Sequence, residues 1–322
     1  MLKMEDPPEF NHHKDHRREK LINPLHHELF MSKKDWLRTY CFLIFILPIR
    51  VALLLTLYSA TYMVAKIGLF NLGEKDLVNK PISTYWRNVM KNVIGYFARI
   101  TARVYGLNVT FIGQIAPVDE APLLVMAPHS SFFDDFLINY YSNMKSCVIA
   151  KHVAKNPIMN PIIKILQYII VDRRDFRSKE DTKKEIMRRS NLYKHENSNE
   201  RWPQIVFFPE GVYTNRKALM RFKNGAFNPG KPIQPVLIRY PNKIETVTYS
   251  RNNPWQAIWV TLCQPFTRVE LEYLPVYYPN IEEQMDAEIF AANVRTLMAT
   301  KLSIPLSELT FKEAEQQRKK LK

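Results

Sequence analysis

An α/β fold is predicted, a three-layer sandwich around a largely parallel mixed sheet, preceded by an N-terminal membrane-embedded helical hairpin. Three observations carry it. Beyond residue 106, short apolar runs alternate with helix-length amphipathic segments, the pattern of strands joined by crossover helices. Ahead of that, the stretch from Thr39 to Ala65 is almost wholly apolar but is interrupted by Pro48 and Arg50. Composition allows both parts, since 322 residues at 46% hydrophobic content build one large core plus an appendage and exclude a disordered chain.

Residues 1–35 are polar and hold His12, His13, His16, His26 and His27, irregularly spaced among Lys14, Arg17, Arg18 and Lys20. They read as a disordered basic tail, not a metal site. In the anchor, 36–70, neither side of Pro48 reaches the ~20 residues of a span. A straight helix would set Arg50 near the bilayer centre at about +2.5 to +3.5 kcal/mol. Lys33, Lys34 and Arg38 precede the stretch and Lys66, Lys75 and Lys80 follow it, which holds both ends on the cytosolic side. A re-entrant hairpin meets both conditions. Residues 81–105 then place Tyr85, Val89, Val93, Phe97, Ile100 and Val104 at helical spacing, with Arg87, Lys91, Arg99 and Arg103 between them. This is an amphipathic interfacial helix, ended by Gly106.

The catalytic domain is expected over 106–305, with strands at 107–112, 123–127, 146–150, 168–171, 204–208, 234–239 and 269–276. Helices are expected at 131–141, 160–166, 179–189, 254–263 and 285–301. The polar run 191–201, with His195, reads as a surface loop, and 306–322 as a basic C-terminal tail. The charge of +15, from 46 basic and 31 acidic residues, calls for an anionic partner: a phosphate-rich co-substrate, a membrane surface or nucleic acid. No groove-reading or base-stacking motif supports nucleic acid. Cys41, Cys147 and Cys263 lie far apart in apolar sequence, so neither a disulfide framework nor a zinc site is expected, and a reducing compartment fits.

Ligands of open α/β sheets sit at the carboxyl ends of strands. Here 123–127 is followed by Pro128-His129-Ser130-Ser131-Phe132-Phe133-Asp134, 168–171 by Asp172-Arg173-Arg174, and 204–208 by Pro209-Glu210-Gly211-Val212-Tyr213-Thr214-Asn215. A base, a cation pair and a carboxylate beside a glycine thus converge on one edge. If a helix starts at Ser130, Asp134 can accept from the His129 imidazole and orient it as a general base that is largely neutral at physiological pH. Amides at that helix start could serve an oxyanion. On this stretch alone a capped helix start is the commoner explanation of such a pair. Gly225 to Lys231 approaches a phosphate loop, but Pro232 stands at the hydroxyl position. No Gly-x-Ser-x-Gly elbow is present, although Ser130 and Ser131 leave an acyl-serine route formally open.

At these residues the sequence resembles the glycerolipid acyltransferase family, whose first motif is histidine, four residues, aspartate, and whose third is Phe-Pro-Glu-Gly. Both are intact at His129 to Asp134 and Phe208 to Gly211, while Val171-Asp172-Arg173 matches the end of the second motif and Gln234-Pro235-Val236-Leu237-Ile238 the fourth. Arg221 to Phe227 and Leu237 to Lys243 look like the lysophosphatidylcholine acyltransferase branch. Gln167, Ile170 and Val212 depart from the usual motifs, and Tyr213 stands where much of the wider family has an arginine. The resemblance implies acyl transfer from acyl-CoA to the free hydroxyl of lysophosphatidylcholine or lysophosphatidylethanolamine. It assigns His129 and Asp134 to catalysis; Arg173, Glu210, Gly211, Thr214, Asn215 and Lys223 to substrate binding; and Pro235 to the acyl-CoA pocket. It implies a lysophospholipid and a bilayer as partners and no cofactor, acyl-CoA being a co-substrate. With no Asp-x-Asp-x-Asp-Gly pattern, no calcium and no metal are expected. Lys319 and Lys320 resemble a dilysine retrieval signal, which with the anchor points to the cytosolic face of the endoplasmic reticulum membrane. A phosphatidic-acid-forming acyltransferase, acting on lysophosphatidate or glycerol 3-phosphate, and a non-catalytic membrane lipid-binding protein are the alternatives.

Overall fold

The computed structural model describes residues 23–138, 145–193 and 201–320; His12, His13, His16, His195 and the end of the helix expected at 131–141 lie outside them. Seven strands form one sheet in the order β1-β8-β7-β2-β5-β3-β4: β1 Leu107–Ile112, β2 Leu123–Ala127, β3 Ser146–Ala150, β4 Ile169–Val171, β5 Ile205–Phe207, β7 Ile233–Arg239 and β8 Thr267–Tyr273. All neighbours are parallel except β7 and β8. A small pair, β6 Leu219–Met220 with β9 Leu306–Ser307, stands apart. β2 lies in the middle and is buried along its whole length. Its alternate residues serve two cores: Leu124 and Met126 pack with Leu54, Ala102 and Leu262 on one face, and Leu123, Val125 and Ala127 with Ile186, Phe290 and Val294 on the other. Burial on both faces is why the strand reads as an unbroken apolar run.

The N-terminal region differs from the expected hairpin. Helices Lys33–Phe45 and Leu47–Gly68 are separated by Ile46 alone, which keeps right-handed dihedrals, and the Arg50 amide still bonds the Ile46 carbonyl at 3.0 Å. The chain therefore bends without reversing. Pro48 sits in the first turn of the second helix, where its fixed φ and missing N–H cost little, so it starts a helix instead of ending one. The resulting 22-residue helix is long and apolar enough to cross a membrane. Arg50 is not left in apolar surroundings. Its Nη1 donates to the carbonyls of Leu262 at 2.6 Å and Gln264 at 2.7 Å, and its Nη2 to that of Pro265 at 2.9 Å. It thereby caps the C-terminal end of helix Gln256–Leu262.

Helix Leu47–Gly68 lies along the α/β domain. Arg50 holds one end, the Tyr58 and Tyr105 hydroxyls meet at 3.1 Å midway, and Gly68 approaches Ile165 so closely that an added Cβ would sit 2.1 Å from its Cδ1. Leu54, Thr61, Ala65 and Gly68 form the packed stripe, while Leu53, Leu55, Met63 and Ile67 face outward. In helix Tyr85–Val104 the inward face is a set of smaller groups, Ile94, Gly95, Thr101 and Ala102, together with Lys91, whose Nζ donates to the Ile82 carbonyl at 2.7 Å. The expected apolar stripe is exposed at its start, Tyr85 84% and Val89 37%, and half-buried beyond, where Val104 packs against the core. Small residues let the two helices approach closely and leave the large apolar ones outward.

Both expected tails prove to be partly folded. Leu25 packs with Met220 and Ala314, and Asn23 and His27 are buried, so residues 23–27 of the expected 1–35 tail dock on the domain. Within the expected 306–322 tail, β9 pairs with β6 and helix Phe311–Lys320 buries Ala314 and Arg318. These segments carry few apolar residues and are held by hydrogen bonds, such as Asn23 Nδ2 to the Ala314 carbonyl at 2.7 Å, which composition does not show.

Candidate active site

β2 delivers His129 to the carboxyl edge of the sheet. Its Nδ1 lies 2.9 Å from Asp134 Oδ2, at the start of helix Phe133–Ile138. Asp134 is fully buried and accepts from the amides of Ser130 at 2.6 Å and Ser131 at 3.1 Å, from the Ser130 hydroxyl, and at Oδ1 from the Tyr240 hydroxyl at 2.5 Å. Burial works against its charge, but the bonds from His129, Tyr240 and the Ser130 amide outweigh it and hold the carboxyl below its ordinary range. An ionised acceptor at Nδ1 favours the tautomer with its proton there and leaves Nε2 as the ring nitrogen with a lone pair. Among the described residues Nε2 has no hydrogen-bond partner.

The loop after β5 grips the same histidine. Glu210 Oε1 accepts the His129 amide at 2.8 Å, the Thr214 amide donates to the His129 carbonyl at 2.7 Å, and Phe208 stacks on the imidazole at 3.8 Å with Tyr213 edge-on at 4.5 Å. Glu210 Oε2 takes the Met220 amide at 3.2 Å, and burial pushes this carboxyl up to about 7 against those two amide bonds. The sequence reading assigned Glu210, Thr214 and Asn215 to substrate. The structure gives the first two to the His129 backbone. Asn215 instead holds the docked N-terminal segment, its Nδ2 donating to the carbonyls of Asn23 at 2.9 Å and His26 at 2.8 Å. Pro235 is likewise corrected: it lies inside β7, paired with Val125 of β2, and is part of the sheet, not of a pocket wall. The amides of Ser130 and Ser131 serve Asp134, so they are not free for an oxyanion. The Ser131 hydroxyl accepts from the Phe133 amide at 3.3 Å, and the Ser130 hydroxyl donates to Asp134.

Arg173, Gly211 and Lys223 do come together. Arg173 Nη1 donates to the Gly211 carbonyl at 2.7 Å, and Gly211, at φ +66°, takes a backbone conformation that disfavours a side chain and lies against the Lys223 side chain, whose Nζ would be 2.6 Å from an added Cβ. Burial and the nearby charges of Arg173 and Lys179 push the Lys223 amine down. No ion pair joins Arg173, Lys179 or Lys223 to an acid among the described residues. Next to His129, an apolar cavity of about 250 Å³ is walled by Tyr58, Ile94, Phe132, Phe136, Ile149 and Leu166. Asp135 and Cys147 also border it; Asp135 is exposed to the cavity, and its apolar surroundings, with a contribution from Asp134, push its carboxyl up to about 6. The sequence reading missed Tyr240, Phe208 and Lys179; each lies in or beside a quoted motif, but its direction depends on packing.

Residues 107–239 match the acyltransferase family, the span that contains β1 to β7 and His129, Asp134, Arg173, Glu210, Gly211 and Lys223. The match covers less than half of the chain, the part that carries His129, Asp134 and Glu210. The chain is 40% identical over 297 residues to lysophosphatidylcholine acyltransferase from Drosophila melanogaster, which covers 91% of this chain and 54% of the relative. It is 34% identical to human lysophosphatidylcholine acyltransferase 1 (91% and 54%) and 38% identical to human lysophosphatidylcholine acyltransferase 2 (84% and 48%). The chain therefore spans about half the length of the curated relatives it matches. Among solved structures, the 1-acyl-sn-glycerophosphate acyltransferase PlsC from Thermotoga maritima aligns with a TM-score of 0.49 at 15% identity, covering 82% of this chain and 97% of that one.

Proposed function

We propose that this acyltransferase moves a fatty acyl group from acyl-CoA to the free hydroxyl of lysophosphatidylcholine or lysophosphatidylethanolamine. The observation that carries the reading is the free Nε2 of a histidine whose Nδ1 is held by a buried, ionised Asp134. A thioester is already activated, whereas an alcohol is a poor nucleophile, so a positioned base worth about 10²- to 10⁴-fold is the main requirement. Nε2 takes the hydroxyl proton as oxygen attacks the thioester carbonyl. The tetrahedral intermediate collapses, and the coenzyme A thiolate leaves and is protonated. The cavity beside Phe132 suits an acyl chain, and Arg173, Lys179 and Lys223 suit phosphate. Tyr213 packs on His129 and adds no cation for a bare phosphomonoester, which favours diester headgroups.

The setting supports a membrane enzyme. A helix held to the domain at its start, middle and end cannot stand upright in a bilayer without drawing the domain in, so Leu47–Gly68 would lie in one leaflet with its outward face in lipid. Acyl-CoA is cytosolic, so we place the site on the cytosolic face of the membrane. The test is a panel of lyso-acceptors against one acyl-CoA, with His129→Ala alongside. Lysophosphatidylcholine or lysophosphatidylethanolamine should lead, and His129→Ala should abolish transfer with membrane association unchanged. A tenfold preference for lysophosphatidate or glycerol 3-phosphate would overturn the acceptor, and an active His129→Ala the mechanism.

A further inference from the structure

Beyond the histidine and its carboxylate, a third group is built into the same chain of contacts. Tyr240 follows β7, the strand next to β2, and is 8% exposed. Its hydroxyl donates to Asp134 Oδ1 at 2.5 Å, the oxygen that His129 does not use. Arg216 approaches the other side, its guanidinium carbon 5.0 Å from the centre of the Tyr240 ring. Arg216 adopts φ +63°, uncommon for a side-chain-bearing residue, and its Nη1 is buried without a hydrogen-bond partner. A strained backbone and an unpaired guanidinium N–H are costs that the contact with Tyr240 explains.

Resting on the acyltransferase reading, we infer that Tyr240, with Arg216 against its ring, is a positioning residue that keeps Asp134 ionised and aligned and so sets how readily His129 takes a proton. A carboxylate that shares its charge with a phenol attracts an imidazolium less strongly than one that does not. Removing the phenol leaves Oδ1 short of a strong donor, concentrates charge on the carboxylate and strengthens its hold on protonated His129. The histidine then gives up its proton at higher pH. The cation beside the ring makes the phenol a better donor, so losing Arg216 acts in the same direction but less. Other groups facing the pair are Asp135 on the same helix, Glu210 and Tyr213 on the loop after β5, and Tyr249 beyond β7, with His27 near Arg216 and Arg295 near Glu210. None of these is bonded to the Tyr240 hydroxyl.

Tyr240→Phe in the full chain tests this. It should lower kcat about tenfold with KM for both substrates unchanged, and move the acidic limb of the pH-rate profile up by about half a unit or more. In an Asp134→Asn background the same change should leave the limb in place. NMR titration of His129 in histidine-labelled protein should show the same upward shift without turnover, so failure of the acyltransferase reading and failure of this one are separable. If Tyr240→Phe does not fold, Arg216→Gln should give a smaller shift of the same sign. An unshifted His129 titration in whichever variant folds, or a rise in KM at constant kcat, would overturn the inference.

Discussion

Glu210→Gln separates a substrate contact from a support for the base. Each oxygen of Glu210 accepts one backbone amide, that of His129 and that of Met220. Glutamine keeps the shape but has one accepting oxygen, so its NH₂ must confront one of those amides and a clamp is lost, at about 1 kcal/mol net. Misplacing His129 should cut kcat about tenfold or more while KM for the lysophospholipid stays constant. Stability should respond in a pH-dependent way. The folded carboxyl titrates at about 7 against an ordinary 4.5, so between these values the native state holds a proton that the unfolded chain has released. This group's contribution is therefore complete below about pH 4.5 and drains away as pH rises to about 7, by roughly 3 kcal/mol in total. Glutamine does not titrate. Relative to the parent protein the variant should be slightly less stable at pH 5 and should gain by roughly 3 kcal/mol by pH 8. Thermal unfolding in detergent across that range, paired with steady-state kinetics, reads both effects. A raised KM at unchanged kcat would refute the reasoning and return Glu210 to the substrate.

Arg50→Met keeps an apolar stem but removes three bonds to the carbonyls at the end of helix Gln256–Leu262, and should cost about 2 kcal/mol by chemical denaturation. A neutral effect would mean that the guanidinium serves the lipid interface instead. Asp135 borders the apolar cavity, and an alkyl chain seated there must desolvate its carboxyl. Asp135→Leu should therefore raise the ratio of kcat/KM for long over short acyl-CoAs by about tenfold, a ratio from which any common effect on His129 cancels. An unchanged ratio would place the acyl chain elsewhere.

Much of the sheet was legible because burial on both faces writes itself as continuous apolar runs. β1, β2 and β3 have the bounds read from sequence, and β4, β5, β7 and β8 lie within a few residues of theirs. His129 and Asp134 were legible because their contact is local, one helical turn apart. Arg173, Gly211 and Lys223 were found through motifs, and folding does bring them together. The errors share a cause. Glu210, Thr214 and Asn215 are polar residues close to His129, and a sequence does not say whether such a group spends its hydrogen bonds on substrate or on backbone. Pro48 and Arg50 read as interruptions, although one starts a helix and the other caps a distant one.

The sequence by itself determined the strand-helix alternation, the apolar character of the N-terminal stretch and the pairing of His129 with Asp134, because these depend on periodicity and on neighbours within a turn. Tertiary structure alone decided that Tyr240 meets Asp134 across 106 positions of chain, that the loop after β5 holds the histidine by both its amide and its carbonyl, and that the anchor helix lies against the domain. These contacts join residues far apart along the chain, and their directions are set by how β7, β2 and β5 lie side by side, which no local pattern of residues encodes.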